Sequence, residues 1–205
     1  MAYGTYDETH RKILESGRRM FLENGFERTN LRDLCRDAGI TTGSFYRHFE
    51  SKEELFACLV QSAVDEIMQV FADSEPLCRE AVESGDIRRL WRIMDAEGLV
   101  DYVYRNFDAL KLLLKCSDGT PCSDFLNDVV SRETDISLRS LHLARDLGFI
   151  SARIPSRQEL HMICHAYVSC VFEAVLHDLG REEMDRYIHT IVEFFTAGSC
   201  RVLGL

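Results

Sequence analysis

Three consecutive side chains, Tyr46, Arg47 and His48, place a phenol, a guanidinium and an imidazole in succession. A guanidinium can bond the O6 and N7 of guanine together, and an imidazole can donate to a purine acceptor or a phosphate oxygen. Thr41, Thr42, Gly43 and Ser44 come just before them. Their hydroxyls and the bare glycine backbone could approach phosphates and base edges, with the positive end of a helix dipole behind them. The same residues would also make an ordinary solvated helix face with capping threonines, so side-chain types alone leave both readings open.

The elements that must position these residues follow from patterning. Ile13, Gly17 and Phe21 recur at helical spacing after the capping-box sequence Thr5-Tyr6-Asp7-Glu8, and Asn24-Gly25 suits a left-handed stop. Thr29 or Asn30 can cap a second helix that turns Leu31, Leu34, Cys35 and Ala38 inward, and Gly39 permits the turn that ends it. Thr41 is placed to cap a third helix, with Phe45 and Phe49 as its buried pair. Ser51-Lys52-Glu53-Glu54 is a capping-box pattern opening a fourth. A helix, a glycine turn and a second helix at this spacing make a helix-turn-helix, whose second helix enters the major groove.

The stretch Gly25-Phe26-Glu27-Arg28-Thr29, Leu34, Ala38-Gly39-Ile40, Gly43-Ser44-Phe45-Tyr46-Arg47-His48-Phe49 and Ser51-Lys52-Glu53-Glu54-Leu55 resembles the N-terminal signature of the TetR family in order and spacing, over about residues 9 to 60. The resemblance implies that Tyr46 bonds backbone phosphate, that Arg47 and His48 are the candidates for base contact, and that Thr29 and Lys52 are flanking phosphate contacts. It also implies a larger helical domain that dimerises through its last two helices and holds a pocket for a small-molecule effector. The expected fold is all-α: a three-helix helix-turn-helix domain over residues 1–50, linked by helix four to an effector-binding and dimerisation domain over 51–205.

Beyond the first module, loop signals divide the chain into helices near 52–73, 77–83, 86–105, 106–116, 121–147, 156–178 and 181–202. Tyr167, Val171 and Val175 on the penultimate helix and Ile188, Ile191 and Phe195 on the last form apolar stripes suited to a homodimer seam, although such stripes also build ordinary cores. Trp91, Met94, Tyr102, Phe107, Cys116, Phe125, His142 and His165 are candidates to line an effector pocket or to belong to that core. His161 and His165 stand four residues apart and could share a metal. They lack a secure third ligand, so no metal or other cofactor is expected. The Cys116 to Cys122 segment could sense oxidants, but eight scattered cysteines with no Cys-x-x-Cys pair read as reduced thiols.

Composition bounds the function. The net charge of −10 is unevenly shared: residues 1–60 carry nine Lys or Arg and ten Asp or Glu, and the remainder fifteen and twenty-four. A near-neutral module on an acidic body does not suit general nucleic-acid binding, which depends on basic residues releasing counterions. It fits a specific reader. No basic start followed by an apolar segment and no run of eighteen apolar residues occurs, so a cytoplasmic location is expected. The chain has no Glu-x-x-His pair, P-loop, Gly-x-Ser-x-Gly or His-Glu-x-x-His motif, and no catalysis is expected. The leading expectation is a repressor released from a near-palindromic operator by a small molecule. The competing ones are a metal- or thiol-responsive sensor of the same fold, and an interaction protein that no longer reads DNA.

Overall fold

The computed structural model describes residues 6–93 and 95–204, the side chains of Trp91 and Arg92 apart. Among these residues the structure is helical, with no strand: α1 Tyr6–Asn24, α2 Leu31–Asp37, α3 Thr42–Phe45, α4 Lys52–Glu83, a 3₁₀ turn Ile87–Arg92, α5 Ala96–Arg105, α6 Phe107–Lys115, α7 Phe125–Asp146, α8 Arg157–Leu176 and α9 Arg181–Leu203. The expected cap at Thr5 and the pocket candidate Met94 lie outside the described residues.

The chain divides into two compact units, and the division differs from the expected boundary at residue 50. The first unit runs to Asp65 and takes back the segment Phe107–Phe125; the second comprises Glu66–Asn106 and Leu126–Leu205. The physical reason lies in α6. Its apolar side buries Leu110, Leu112 and Leu113, and it packs against α1. The loop after it is tied to the first unit by the Phe26 N–H donating to the Cys116 carbonyl at 3.1 Å. That loop is internally braced, with Ser117 donating to Leu113 O and Thr120 to Ser117 O, each at 2.7 Å.

The first unit is organised around aromatic rings. Phe21, Phe26 and Phe56 meet with centroids 5.5 to 5.6 Å apart, two of the three pairs edge to face, the geometry that ring quadrupoles favour. Gly17 lets α1 approach α4 closely: a Cβ there would stand 2.8 Å from a methyl of the fully buried Leu55.

One expected break is absent. Ser74 to Pro76 was expected to separate two helices, yet α4 runs through Pro76. A proline inside a helix removes one i to i−4 bond, usually with a kink, but does not force termination. Here the helix is held on both sides of it by buried residues, Ile67 and Phe71 before and Cys78, Ala81 and Val82 after. Helices α4 and α8 are long and apolar enough, by length and composition alone, to cross a membrane. Both bury an apolar side within the protein, which a core helix also does.

In the second unit α9 packs against α5 and α8. Arg181 at its start pairs with Asp101, and Tyr187 donates to the Cys170 carbonyl at 2.8 Å. α8 opens with a complete capping box, the Ser156 hydroxyl accepting from the Glu159 N–H and the Glu159 carboxylate from the Ser156 N–H. Arg153 adds two bonds of 2.8 and 2.9 Å to the same carboxylate. These contacts, the arginine foremost, hold the Glu159 pKa down at about 2.

Candidate nucleic-acid interface

Local chemistry fixes the helix-turn-helix. Asn30 caps α2 by accepting from the Arg32 N–H at 2.8 Å. The exit from α2 is a Schellman motif: the Gly39 N–H donates to Arg36 O and the Ile40 N–H to Cys35 O. Gly39 sits at φ +68°, where an L side chain is strained. Thr41 then caps α3, its hydroxyl accepting from the Ser44 N–H at 3.1 Å. α3 is anchored by Phe45, fully buried, and by Phe49, 4% exposed.

This anchoring turns the remaining side chains outward. Thr41, Thr42, Gly43, Tyr46 and Arg47 are exposed and Ser44 is partly so. Tyr46 is 58% exposed, and Arg47 makes no ion pair among the described residues. The α3 surface therefore presents hydroxyls, a phenol and a free guanidinium together.

Two flanking residues are placed otherwise than expected. Thr29 is buried, and its hydroxyl donates to the Gly25 carbonyl at 2.7 Å and lies 3.2 Å from that of Met20, so it closes the turn after α1 instead of facing a phosphate. Lys52 also turns inward: its ammonium donates to Phe26 O at 2.7 Å and Thr29 O at 3.0 Å and lies 4.1 Å from the Phe26 ring centroid. Burial lowers its pKa. The loop between α1 and α2 ends in carbonyls that no helix satisfies, and Lys52 satisfies two of them. Lys52→Met should lower stability by about 1–3 kcal/mol, the cost of leaving the Thr29 carbonyl unpaired, since the Phe26 carbonyl still accepts from the Thr29 N–H. Urea denaturation of both proteins checks this, and an unchanged midpoint would return Lys52 to the phosphate-contact reading.

His48 is half-buried in an aromatic cluster, 4.1 Å from the Tyr6 ring and 5.6 Å from that of His10, which itself stacks on Phe49. Its Nδ1 and that of His10 are buried without a partner. Burial, then the neighbouring His10 and Arg47, lower the His48 pKa from 6.5. Because the unfolded chain binds this proton more readily, the contribution of His48 to stability is complete above the unfolded pKa. It is lost as pH falls from there through the lower folded value. The drop in denaturation midpoint between about pH 7.5 and about pH 5.5 should therefore be smaller in His48→Gln than in the wild type; an equal drop would show that His48 is not the group responsible.

Spacing did not single out Arg28 and Arg32, both exposed. Arg28 donates to Asn24 O at 2.9 Å. Arg32 lies in the first turn of α2, where a cation opposes the helix dipole; that mismatch was the signal available in the sequence.

The candidates in the body are dispersed. Tyr102 lines a cavity of about 350 Å³ in the second unit. Phe107, Cys116 and Phe125 belong to the first unit and do not reach it. His142 is exposed beside Arg145, and His165 is exposed with its Nδ1 3.3 Å from the Ser169 hydroxyl; neither lines the cavity. The backbone at Trp91 is in the 3₁₀ turn. For the dimer seam, Val171, Val175 and Ile188 are buried inside the protomer, and Tyr167 stacks edge to face on Phe195, with Tyr167, Val171 and Phe195 lining the cavity. Ile191 is half-buried. Met162, Ile163, Phe194 and Val202 of α8 and α9 are from 42% to 70% exposed, and the last three also line the cavity. No cluster of three or more His, Cys, Asp or Glu suited to a metal occurs among the described residues. Burial raises the pKa of the Cys116 and Cys122 thiols, away from the reactive thiolate.

An anchored α3 behind a Schellman turn, with its free side chains facing solvent, defines a helix-turn-helix protein. Residues 13–59 match the family described as bacterial regulatory proteins, tetR family. The chain is 39% identical over 70 residues to the HTH-type transcriptional repressor KstR2 of Mycobacterium tuberculosis strain H37Rv, spanning 34% of this chain and 31% of that protein. To KstR2 of Rhodococcus jostii RHA1 it is 37% identical over 99 residues, 48% of this chain and 43% of the relative. The matches thus span less than half of these relatives. In fold, the chain is similar to the TetR family transcriptional regulator PfmR from Thermus thermophilus, with a TM-score of 0.58 at 16% identity over 90% of this chain and 97% of that one. Residues 13–59 thus form a helix-turn-helix region of the tetR family, and the chain shares its overall fold with a TetR family regulator.

Proposed function

We propose that the protein is a cytoplasmic homodimeric repressor, released from a near-palindromic operator when a small molecule binds its second unit. The observation that carries this reading is the α3 surface, where Phe45 and Phe49 hold the chain while Tyr46 and Arg47 stand free. Arg47 reads a base edge, and Tyr46 and the hydroxyls of Thr41 to Ser44 bond phosphate. A single short reading helix gives little affinity, so two copies act together on half-sites related by a twofold axis.

Support for the dimer comes from the outer faces of α8 and α9. Phe194, Gly198 and Val202, which also border the cavity, recur every four residues on α9, and Met162 and Ala166 are four apart on α8; all five are exposed. Large apolar side chains left in solvent at helical spacing suit a self-complementary four-helix seam. Support for the effector comes from the cavity in the second unit, whose size falls in the range for small ligands.

Selection of bound sequences from a random duplex pool at near-physiological salt tests the reading. A near-palindromic motif is the expected result, and no enrichment from a folded dimer would point to an interaction protein instead. Effector and operator should weaken each other's binding by the same factor, as linkage requires.

A further inference from the structure

The cavity in the second unit is mostly apolar, with hydroxyls such as those of Ser74, Ser137 and Ser140 and one carboxyl in its wall. Phe71, Tyr102, Tyr167, Phe172 and Phe195 supply aromatic surface, and among the described lining residues Glu133 is the sole acidic or basic side chain. Glu133 projects from α7 and accepts from the Ser137 hydroxyl at 3.1 Å. It makes no ion pair with any described Lys, Arg or His. An ionised carboxylate offers about four acceptor sites, and here one hydroxyl is bonded to it.

Its neighbours register the carboxyl. Burial first and Glu133 second push the Cys164 thiol up to about 12 and raise the Cys78 thiol and the Tyr167 phenol. Burial raises the pKa of Glu133 itself. A carboxylate in apolar surroundings is costly without a counter-charge. The protein supplies none among its described residues, so burial favours the protonated acid, and a cation entering the space would draw it toward the carboxylate.

We propose that this cavity receives a lipophilic monocation, an amine or quaternary ammonium on an apolar body, with its charge at Glu133 and its body among the aromatic rings. This rests on reading the second unit as the effector-binding part. A cation pairs with the carboxylate and gains from ring faces within about 6 Å. An anion of the same size meets like charge in a medium that screens it poorly, and a neutral molecule fills the space but leaves the carboxyl as it was.

The test is calorimetric titration of the intact protein with decyltrimethylammonium, decanol and decanoate, each below its aggregation concentration. The chain length is constant and the head group changes from cation to neutral to anion. The cation is expected to bind at least about tenfold tighter than decanol, with decanoate weakest. Glu133→Gln should abolish the preference for the cation while leaving decanol binding unchanged, which shows the cavity intact. If Glu133→Gln does not fold, Glu133→Asp must keep the order of the three ligands. The proposal is overturned if decanol or decanoate binds the wild type as well as the cation does, or if the preference survives Glu133→Gln.

Operator affinity measured with the same ligands separates this proposal from effector release. Glu133-dependent cation binding that leaves operator affinity unchanged supports the ligand class and refutes release. Release by decanol or decanoate, independent of Glu133, supports release and refutes the ligand class.

Discussion

Tyr46→Ala combined with Arg47→Ala is expected to weaken operator binding by at least about a hundredfold. A bidentate arginine–guanine contact discriminates by about 1–3 kcal/mol, a dimer makes it once per half-site, and loss of the Tyr46 phenol removes a phosphate contact in each half as well. The two substitutions should also separate in character. Arg47→Ala should relax the preference at one base pair per half-site, whereas Tyr46→Ala should weaken all sequences nearly uniformly. Both side chains are exposed, so melting temperature should hold. Binding to the selected duplex and to single-position variants of it, measured at one fixed salt concentration, decides the matter. An unchanged affinity in the double variant would remove α3 from the interface.

Phe45→Ala acts from beneath the same surface. Its ring is fully buried, with Phe49 at 5.7 Å and Tyr46 at 5.6 Å between centroids. Truncating a buried phenylalanine costs about 3–5 kcal/mol, a large share of the stability of a small domain. α3 has four residues and no helical strength of its own, so its position depends on this anchor. Urea denaturation should show an early transition in the variant, and operator binding should vanish although no reading residue has changed. Retained operator binding with a midpoint close to wild type would mean that the capping at Thr41 and the Gly39 turn hold α3 without the ring.

The contrast between these substitutions and Lys52→Met shows how roles divide within fifty residues. Arg47 carries a charge that the fold leaves unused. Lys52 carries one that the fold consumes on the carbonyls of Phe26 and Thr29. The side-chain types alone made both plausible phosphate partners.

The sequence by itself determined the helix-turn-helix. Asn30, Gly39, Thr41 and Ser51 are capping and turn residues whose effects are local, so the start and stop of each short helix followed from a few neighbouring positions. Phe45 and Phe49, four apart, fixed which side of α3 faces inward and hence that Tyr46 and Arg47 face out. The order and spacing of these residues carried the family likeness as well. Tertiary structure decided whatever depends on partners distant in the chain. Thr29 and Lys52 became internal because carbonyls of the loop between α1 and α2 lay within their reach. Phe107, Cys116 and Phe125 went to the first unit because α6 packs on α1, far away in sequence.

The cavity was the least legible feature. Its wall is assembled from α4, α5, α7, α8 and α9, and no local period marks a position as facing empty space instead of a packed neighbour. Tyr167, Val171 and Phe195 fitted a subunit seam by spacing, yet they line the cavity, as does Phe194, next to Phe195 in the chain, although it is 70% exposed. Glu133 lies among charged neighbours on α7, in the stretch Arg132-Glu133-Thr134-Asp135, and reads as solvated. Periodicity reports that a helix has two sides. Which side meets solvent, a cavity or another chain is set by the packing of segments distant in sequence, and that is why local patterning located the helix-turn-helix but not the buried carboxyl.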